Sequence, residues 1–141
     1  MSKNIKEIID EIFHQLLNNK SSELGLMQGE MGKLYFIKEY LQNKKSLSKE
    51  IINEQLNHIF ANINNVKTST YCDGYAGIGI ALIQLYNEKL ITLDDSFFFL
   101  EFDNMLENQM IKLIANKDYD FLHGLIGLGL YFLERKRLDV V

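Results

Sequence analysis

All nine glycines of this 141-residue chain lie in three short segments. We call them the first, second and third glycine segments: residues 25–32 (GLMQGEMG), 71–79 (YCDGYAGIG) and 121–129 (FLHGLIGLG). Each contains Gly-x-x-Gly followed by a mostly apolar run. The pairs begin at Gly29, Gly74 and Gly124, which are 45 and 50 residues apart. This spacing is typical of a two-helix repeat with its loops.

The chain before each glycine segment carries apolar residues at helical spacing. Residues 5–17 form the first such stripe. A second helix is predicted to start after Ser48 as N-cap and to end in the asparagine-rich residues 62–65. A third is predicted to start near Asp94 or Asp95. All three patterns indicate amphipathic helices.

After each glycine segment comes a shorter and more uniformly apolar stretch. These stretches are residues 34–41, 78–86 and 128–133. A helix that is apolar on all sides must be buried, so we expect each to form an inner helix. The short run 78–85 is also compatible with a buried strand of a parallel sheet, which is the competing interpretation. The helical stripes and the absence of proline favour helices.

The predicted fold is therefore all-α, with an outer helix, a glycine turn and an inner helix repeated three times. Such a helical-hairpin repeat can extend as a solenoid or close into a ring. Glycine at a helix entry permits close backbone approach, which is a structural role. The functional alternative is that the turns deliver inner-helix N-termini, with unpaired N–H groups, to one end of a shared cavity. Both can hold together.

Composition and charge exclude several function classes. The formal net charge of -4, with dispersed lysines, disfavours nucleic acid as a partner. Charged residues interrupt residues 1–15, so no signal peptide is predicted. The longest uncharged apolar run, residues 121–133, is too short to span a membrane. Cys72 is the only cysteine, so no internal disulfide forms. These features predict a cytoplasmic protein.

Polar residues just before or inside the glycine turns are the candidates for chemistry. They should lie at one end of the structure: Gln28, Cys72, Asp73, Asp120 and His123. Asp73 is predicted to be an N-cap and His123 a hydrogen-bonded core histidine. Cys72 alone lacks the additional ligands that a structural zinc site needs.

Two of these stretches resemble a known family. YCDGYAGIGIAL (residues 71–82) and DFLHGLIGLGLYFL (residues 120–133) are similar to the repeat motifs of lanthionine synthetase C-like proteins, and the first glycine segment resembles a weaker copy. The resemblance implies an α/α toroid of seven inner and seven outer helices. Residues 1–141 would then be a partial toroid domain, a partial ring of about three hairpins.

The resemblance also implies a chemistry. Family members add a cysteine thiol of a dehydrated precursor peptide to dehydroalanine or dehydrobutyrine, which forms a thioether ring. They use zinc held by two Cys and one His of later repeats, and no position of this chain matches those ligands. Asp120 matches an aspartate implicated in proton handling. We therefore expect no cofactor in this chain, zinc in a full-length member, and no activity without the C-terminal half.

Two other functions remain open at this stage. The chain could be a non-catalytic helical-repeat module that binds a peptide or protein. The same architecture also occurs in carbohydrate enzymes, where Asp73 and Asp120 would act as a carboxylate pair on a glycosidic bond.

Overall fold

The computed structural model describes residues 4–92 and 95–138, and the side chains of residues 4–92 and 99–136. These parts of the chain contain six α-helices and no strand. The predicted all-α class is confirmed, and the parallel-sheet alternative is wrong. The helices are α1 (Ile5–Asn18), α2 (Glu30–Asn43), α3 (Lys49–Asn62), α4 (Tyr75–Asn87), α5 (Asp95–Asn116) and α6 (Leu125–Leu138).

Helices α3 and α5 begin at the polar residues from which their starts were predicted. Ser48 is the N-cap of α3, as predicted, and its Oγ accepts the N–H of Ile51 at 3.4 Å. Helix α3 ends at Asn62 and continues into a short 3₁₀ helix over Ile63–Asn65. Helix α5 begins at Asp95, one of the two predicted starts, and Asp94 lies outside the described residues.

Three helices end on a lysine in the left-handed region. Lys45, Lys89 and Lys117 have φ values of 52°, 59° and 56° and follow α2, α4 and α5. The chain closes over each end with the same bond, as when the N–H of Leu90 donates to the carbonyl of Leu85 at 3.0 Å. Glycine is the usual residue at such a helix end. Because lysine stands there in this chain, the sequence has no glycine from which these ends could be predicted.

Helices α2 and α4 lie side by side and run parallel. Near their N-termini, the N–H of Met27 donates to the carbonyl of Cys72 at 2.8 Å. Near their C-termini, Lys38 Nζ donates to both carboxylate oxygens of Glu88 at 3.0 Å. Burial acts to lower the pKa of Lys38, but the hydrogen bonds that Lys38 donates to Glu88 and Glu39 outweigh it and raise the pKa.

Helix α6 continues the row on the other side of α4. The N–H of Cys72 donates to the carbonyl of Leu122 at 3.2 Å, which brings the starts of α4 and α6 together. One turn further along, Tyr131 of α6 packs against Gly79 of α4. Helices α2, α4 and α6 therefore lie in this order along one row.

The remaining helices pack around this row. Helix α5 packs against both α4 and α6, and α3 against α2. Helix α1 packs against α2, where the rings of Phe13 and Tyr40 stack with their centroids 4.0 Å apart. The main core surrounds α4, in which Ile78, Leu82 and Ile83 are fully buried. No helix in the described parts of the chain has the length and apolar composition needed to cross a bilayer.

Two of the predicted apolar stripes are only partly buried. On α1, Phe13 is buried, but the first turns are exposed at Ile5, Ile8, Ile9 and Ile12. On α6, the stretch 128–133 was predicted to be buried on most sides, but Leu133 is exposed, as is Ile126 just before that stretch. These residues are exposed because α1 packs mainly against α2, and α6 mainly against α4 and α5, among the described elements.

The second glycine of each pair allows the turn to fold back on the helix start. A Cβ atom on Gly77 would lie 1.8 Å from the carbonyl oxygen of Tyr71 in the same segment. The equivalent distances are 2.3 Å at Gly32 and 2.4 Å at Gly127. The structural role predicted for these glycines is confirmed, since a side chain at any of them would collide with backbone.

The left-handed lysines predict opposite effects for one substitution at two positions. Lys89→Gly should raise the free energy of unfolding by about 1 kcal/mol, because it removes the cost of the left-handed conformation. Lys112→Gly, on an exposed face within α5, should lower it by about 1 kcal/mol. Thermal or urea unfolding of the two variants measures both. A loss of stability in Lys89→Gly would contradict the conformation described for this helix end.

Candidate functional site

The three glycine segments stack on one another at one end of the helix row. Met27 of the first donates its N–H to Cys72 of the second, and Cys72 donates to Leu122 of the third. The same backbone bond therefore joins equivalent residues of successive segments. The prediction that the candidate residues share one end is confirmed, since all of them lie in or next to these segments.

The N–H groups at the helix starts are satisfied by carbonyls of the residues that lead into each segment. In α2, Glu30 donates to the carbonyl of Glu23 at 3.0 Å. Tyr75 of α4 donates to Thr68 at 3.1 Å, and Leu125 of α6 donates to Asp118 at 2.9 Å. The interpretation that the turns present unpaired helix N–H groups to a ligand is wrong for these donors. Chemistry at this end must come from side chains.

Asp120 and His123 form a pair on the third segment. Asp120 Oδ1 accepts the backbone N–H of His123 at 2.6 Å and lies 3.2 Å from His123 Nδ1. Both side chains are more than half exposed, at 56% for Asp120 and 65% for His123. The prediction of a core histidine is wrong, because no described segment covers this side of the third segment.

The backbone bond of Asp120 has a counterpart in the second segment. Thr70 occupies the equivalent repeat position, and its Oγ1 accepts the N–H of Asp73 at 3.3 Å. A short side-chain oxygen at this position therefore closes the turn in both segments. Asp120 differs from Thr70 in carrying a charge, and the bond to His123 acts on that charge.

Asp120 is held in its ionised form. The backbone N–H of His123 is the main cause of a lowered Asp120 pKa, the imidazole of His123 adds to it, and slight burial opposes both. At neutral pH the carboxylate accepts hydrogen bonds or protons and does not donate them. The pair is therefore an exposed, ionised acceptor next to an imidazole ring.

Cys72 and Asp73 form a second pair, more deeply placed. Cys72 is 4% exposed, and its Sγ donates to Asp73 Oδ2 at 3.4 Å. The other oxygen, Oδ1, is buried and has no hydrogen-bond partner among the described residues. Asp73 was predicted to be an N-cap, and this prediction is wrong. Gly74 occupies that position, and the Asp73 carboxylate turns to the thiol instead.

Asp73 also borders a cavity of about 390 Å³ between the residues that lead into the first two segments. Glu23, Lys67 and Thr68 lie in its wall. Gln28 is exposed on the first segment. Within the described part of the chain, no hydrogen bond joins the Asp73 pair to the Asp120 pair.

No group of three or more His, Cys, Asp or Glu side chains suited to a metal ion occurs among the described residues.

What sequence reasoning missed is the apolar surface beside Asp120. Tyr119, Phe121 and Leu122 are exposed there. Their apolar character was visible in the sequence, but it indicated burial.

Comparisons of the chain with models of protein families, with curated proteins and with solved structures found no match.

The lowered pKa of Asp120 predicts a stability difference that depends on pH. The carboxylate stabilises the fold above the ordinary aspartate pKa of 3.8, and this contribution is lost as pH falls through the lowered value. The melting temperature of the native chain should therefore exceed that of Asp120→Ala above about pH 5, and the difference should shrink below about pH 4.

Asp120→Asn is the control, because its amide oxygen accepts the His123 N–H but does not titrate. The difference in melting temperature between Asp120→Asn and Asp120→Ala should not change with pH. If the native chain keeps its full advantage at the lowest pH at which it remains folded, the carboxylate is not the group that closes this turn.

Proposed function

We propose that this chain is the N-terminal part of a lanthionine synthetase C-like cyclase. Helices α2, α4 and α6 would be the first inner helices of an α/α toroid, and α1, α3 and α5 the outer helices that precede them. The observation that carries the proposal is the stacking of the three glycine segments. One backbone bond joins equivalent residues of successive segments, as Met27 to Cys72 and Cys72 to Leu122. Consecutive units of one repeat array predict such regularity.

The proposed substrate is a peptide that carries a cysteine and a dehydroalanine or dehydrobutyrine. In the reaction the thiol loses its proton, and a bond forms between its sulfur and the β-carbon of the dehydro residue. The electron pair of the double bond moves toward the neighbouring carbonyl, and the α-carbon then takes up a proton. Atoms balance without an oxidant or reductant, so the enzyme has to position two groups and move one proton.

Asp120 is the proposed proton acceptor, and His123 its partner. The lowered pKa keeps the Asp120 carboxylate ionised, and its exposure leaves it accessible to a bound peptide. Tyr119 and Phe121 beside it are 56% and 45% exposed and offer apolar contact to a peptide chain. The described residues do not form a zinc site, so the steps proposed for this chain use only Asp120 and His123.

A binding module without chemistry is the second candidate function. Helices α1 and α2 border an open groove of about 680 Å³ whose walls include Ile5, Ile9 and Phe36. An exposed apolar groove of this kind is a common feature of surfaces that bind a peptide or protein. On this alternative, Asp120 only closes its turn, as Thr70 does in the second segment.

The reading frame that contains these residues separates the two candidates. The cyclase proposal expects further glycine segments in that frame, followed by a cysteine and a Cys-His-Gly motif that together supply the zinc ligands. A frame without these residues would contradict the cyclase proposal and leave the binding module.

The catalytic role of Asp120 predicts the effect of Asp120→Asn in the polypeptide encoded by that complete reading frame. Cyclisation of a model peptide should slow on the order of 10²-fold, because the amide cannot accept a proton. The reaction consumes a thiol without changing the peptide mass, so thiol alkylation followed by mass spectrometry measures it.

Asp118→Asn is the matched control, since it neutralises a second exposed aspartate of the same turn. It should leave the cyclisation rate nearly unchanged. Melting temperature and bound zinc should remain near the native values in both variants. An unimpaired Asp120→Asn enzyme would restrict Asp120 to its role in the turn.

A further inference from the structure

One face of α6 repeats a buried face of α4. We call Ile126, Gly129, Leu130 and Leu133 the α6 face, because their spacing places them on one side of the helix. Their repeat equivalents on α4 are Ala76, Gly79, Ile80 and Ile83. The α4 residues are all buried. On the α6 face, Ile126 is 48% and Leu133 59% exposed. The same apolar positions are therefore covered on one helix and open on the next.

The two equivalent glycines show what covers this face on α4. A Cβ atom on Gly79 would lie 2.5 Å from Cε2 of Tyr131, so the ring of the next inner helix fills the space that glycine leaves. At Gly129 a Cβ atom would meet nothing within 4 Å among the described residues. The α6 face has the same notch without an aromatic ring in it.

The opposite side of the helix row carries the complementary features. Gly32, Phe36, Glu39 and Asn43 share one side of α2 and are its equivalents of Gly77, Ala81, Gln84 and Glu88 on α4. On α4, Gly77, Gln84 and Glu88 contact the preceding inner helix or its glycine segment. On α2, the last three of the four border the open groove between α1 and α2. We call this surface, with the exposed isoleucines of α1, the α1–α2 face.

We infer that the α6 face of one copy of this chain binds the α1–α2 face of a second copy. The contact would continue the interface between α4 and α6. Phe36 is the repeat equivalent of Tyr131, so it would fill the notch at Gly129 as Tyr131 fills the notch at Gly79. Phe121 would pack on Gly32 of the second copy, as Tyr71 packs on Gly127 within the chain.

A second copy fits this surface because it offers an aromatic ring where α6 has a glycine, and a glycine where the third segment has an exposed ring. The isoleucines of α1 would cover the C-terminal half of α6 in the neighbouring copy. Within one chain, α5 takes the corresponding position against α4 and α6. This inference concerns the 141-residue chain by itself and does not depend on the proposed chemistry. In the longer polypeptide of the proposed function, the next repeat would occupy the α6 face in place of a second copy.

The proposed contact is head-to-tail, so it joins two different surfaces, the α6 face of one copy and the α1–α2 face of the next. Sedimentation of the native chain over a range of concentrations should show a mass that rises above the 16.4 kDa of the monomer. A chain that stays monomeric up to submillimolar concentration would overturn the inference.

Gly129→Leu tests the notch. The new side chain has free space in the monomer, so helix content and melting in dilute solution should be retained. It would collide with Phe36 of the second copy, and self-association should weaken about tenfold or more. Glu107→Leu adds the same side chain to an exposed position of α5 and should leave association unchanged.

A mixing experiment identifies the head-to-tail geometry. Ile9→Glu places a charge in the α1–α2 face at an exposed position, and it should also weaken self-association about tenfold or more. Mixing Gly129→Leu with Ile9→Glu should restore one native contact, between the α6 face of Ile9→Glu and the α1–α2 face of Gly129→Leu, and should give a heterodimer. Two monomers in the mixture, or self-association of either variant as strong as that of the native chain, would overturn the inference.

Discussion

The close backbone approach at the second glycine of each pair is the constraint on which this structure depends. At Gly77 there is no room for a Cβ atom, because the Tyr71 carbonyl lies over the helix start. This approach folds each segment back onto its own inner helix and presents its outer edge to the next segment. The bond from Cys72 to Leu122 forms along that edge. Parallel inner helices follow from it, since stacked segments place all three helix starts at one end.

The same folding back decides where chemistry can occur. Because the helix-start donors bind carbonyls of the residues just before each segment, a ligand at this end would meet side chains and not a helix terminus. Asp120 and His123 are exposed on the third segment, whereas Cys72 and Asp73 lie under neighbouring segments. A charge that is already stabilised by a backbone N–H can accept a hydrogen bond from a substrate at little cost in desolvation. The buried Cys72 thiol offers no such access, and the partly buried Asp73 borders the cavity beside it instead.

Sequence reasoning predicted the helices and their order well, because capping and glycine spacing are local signals. Ser48 shows this, since its hydroxyl caps α3 as expected. Helix ends were harder to predict, because Lys89 adopts a left-handed backbone conformation in which glycine is the usual residue. His123 was misassigned for a different reason, because its burial depends on whether another segment packs over its own, and no pattern within a segment records that. Asp73 was misassigned by one position, because Gly74 is the N-cap of α4.

Ile83 and Leu133 make this limit concrete. They occupy equivalent repeat positions and are both apolar, yet Ile83 is fully buried and Leu133 is 59% exposed. The difference lies in the neighbour and not in the residue, because α4 has α6 beside it and α6 has no described helix on its open side. Clustered apolar residues in water favour association with a complementary surface. Apolar side chains at positions that are buried on α4 and exposed on α6 therefore mark the open face of α6 as a candidate binding surface.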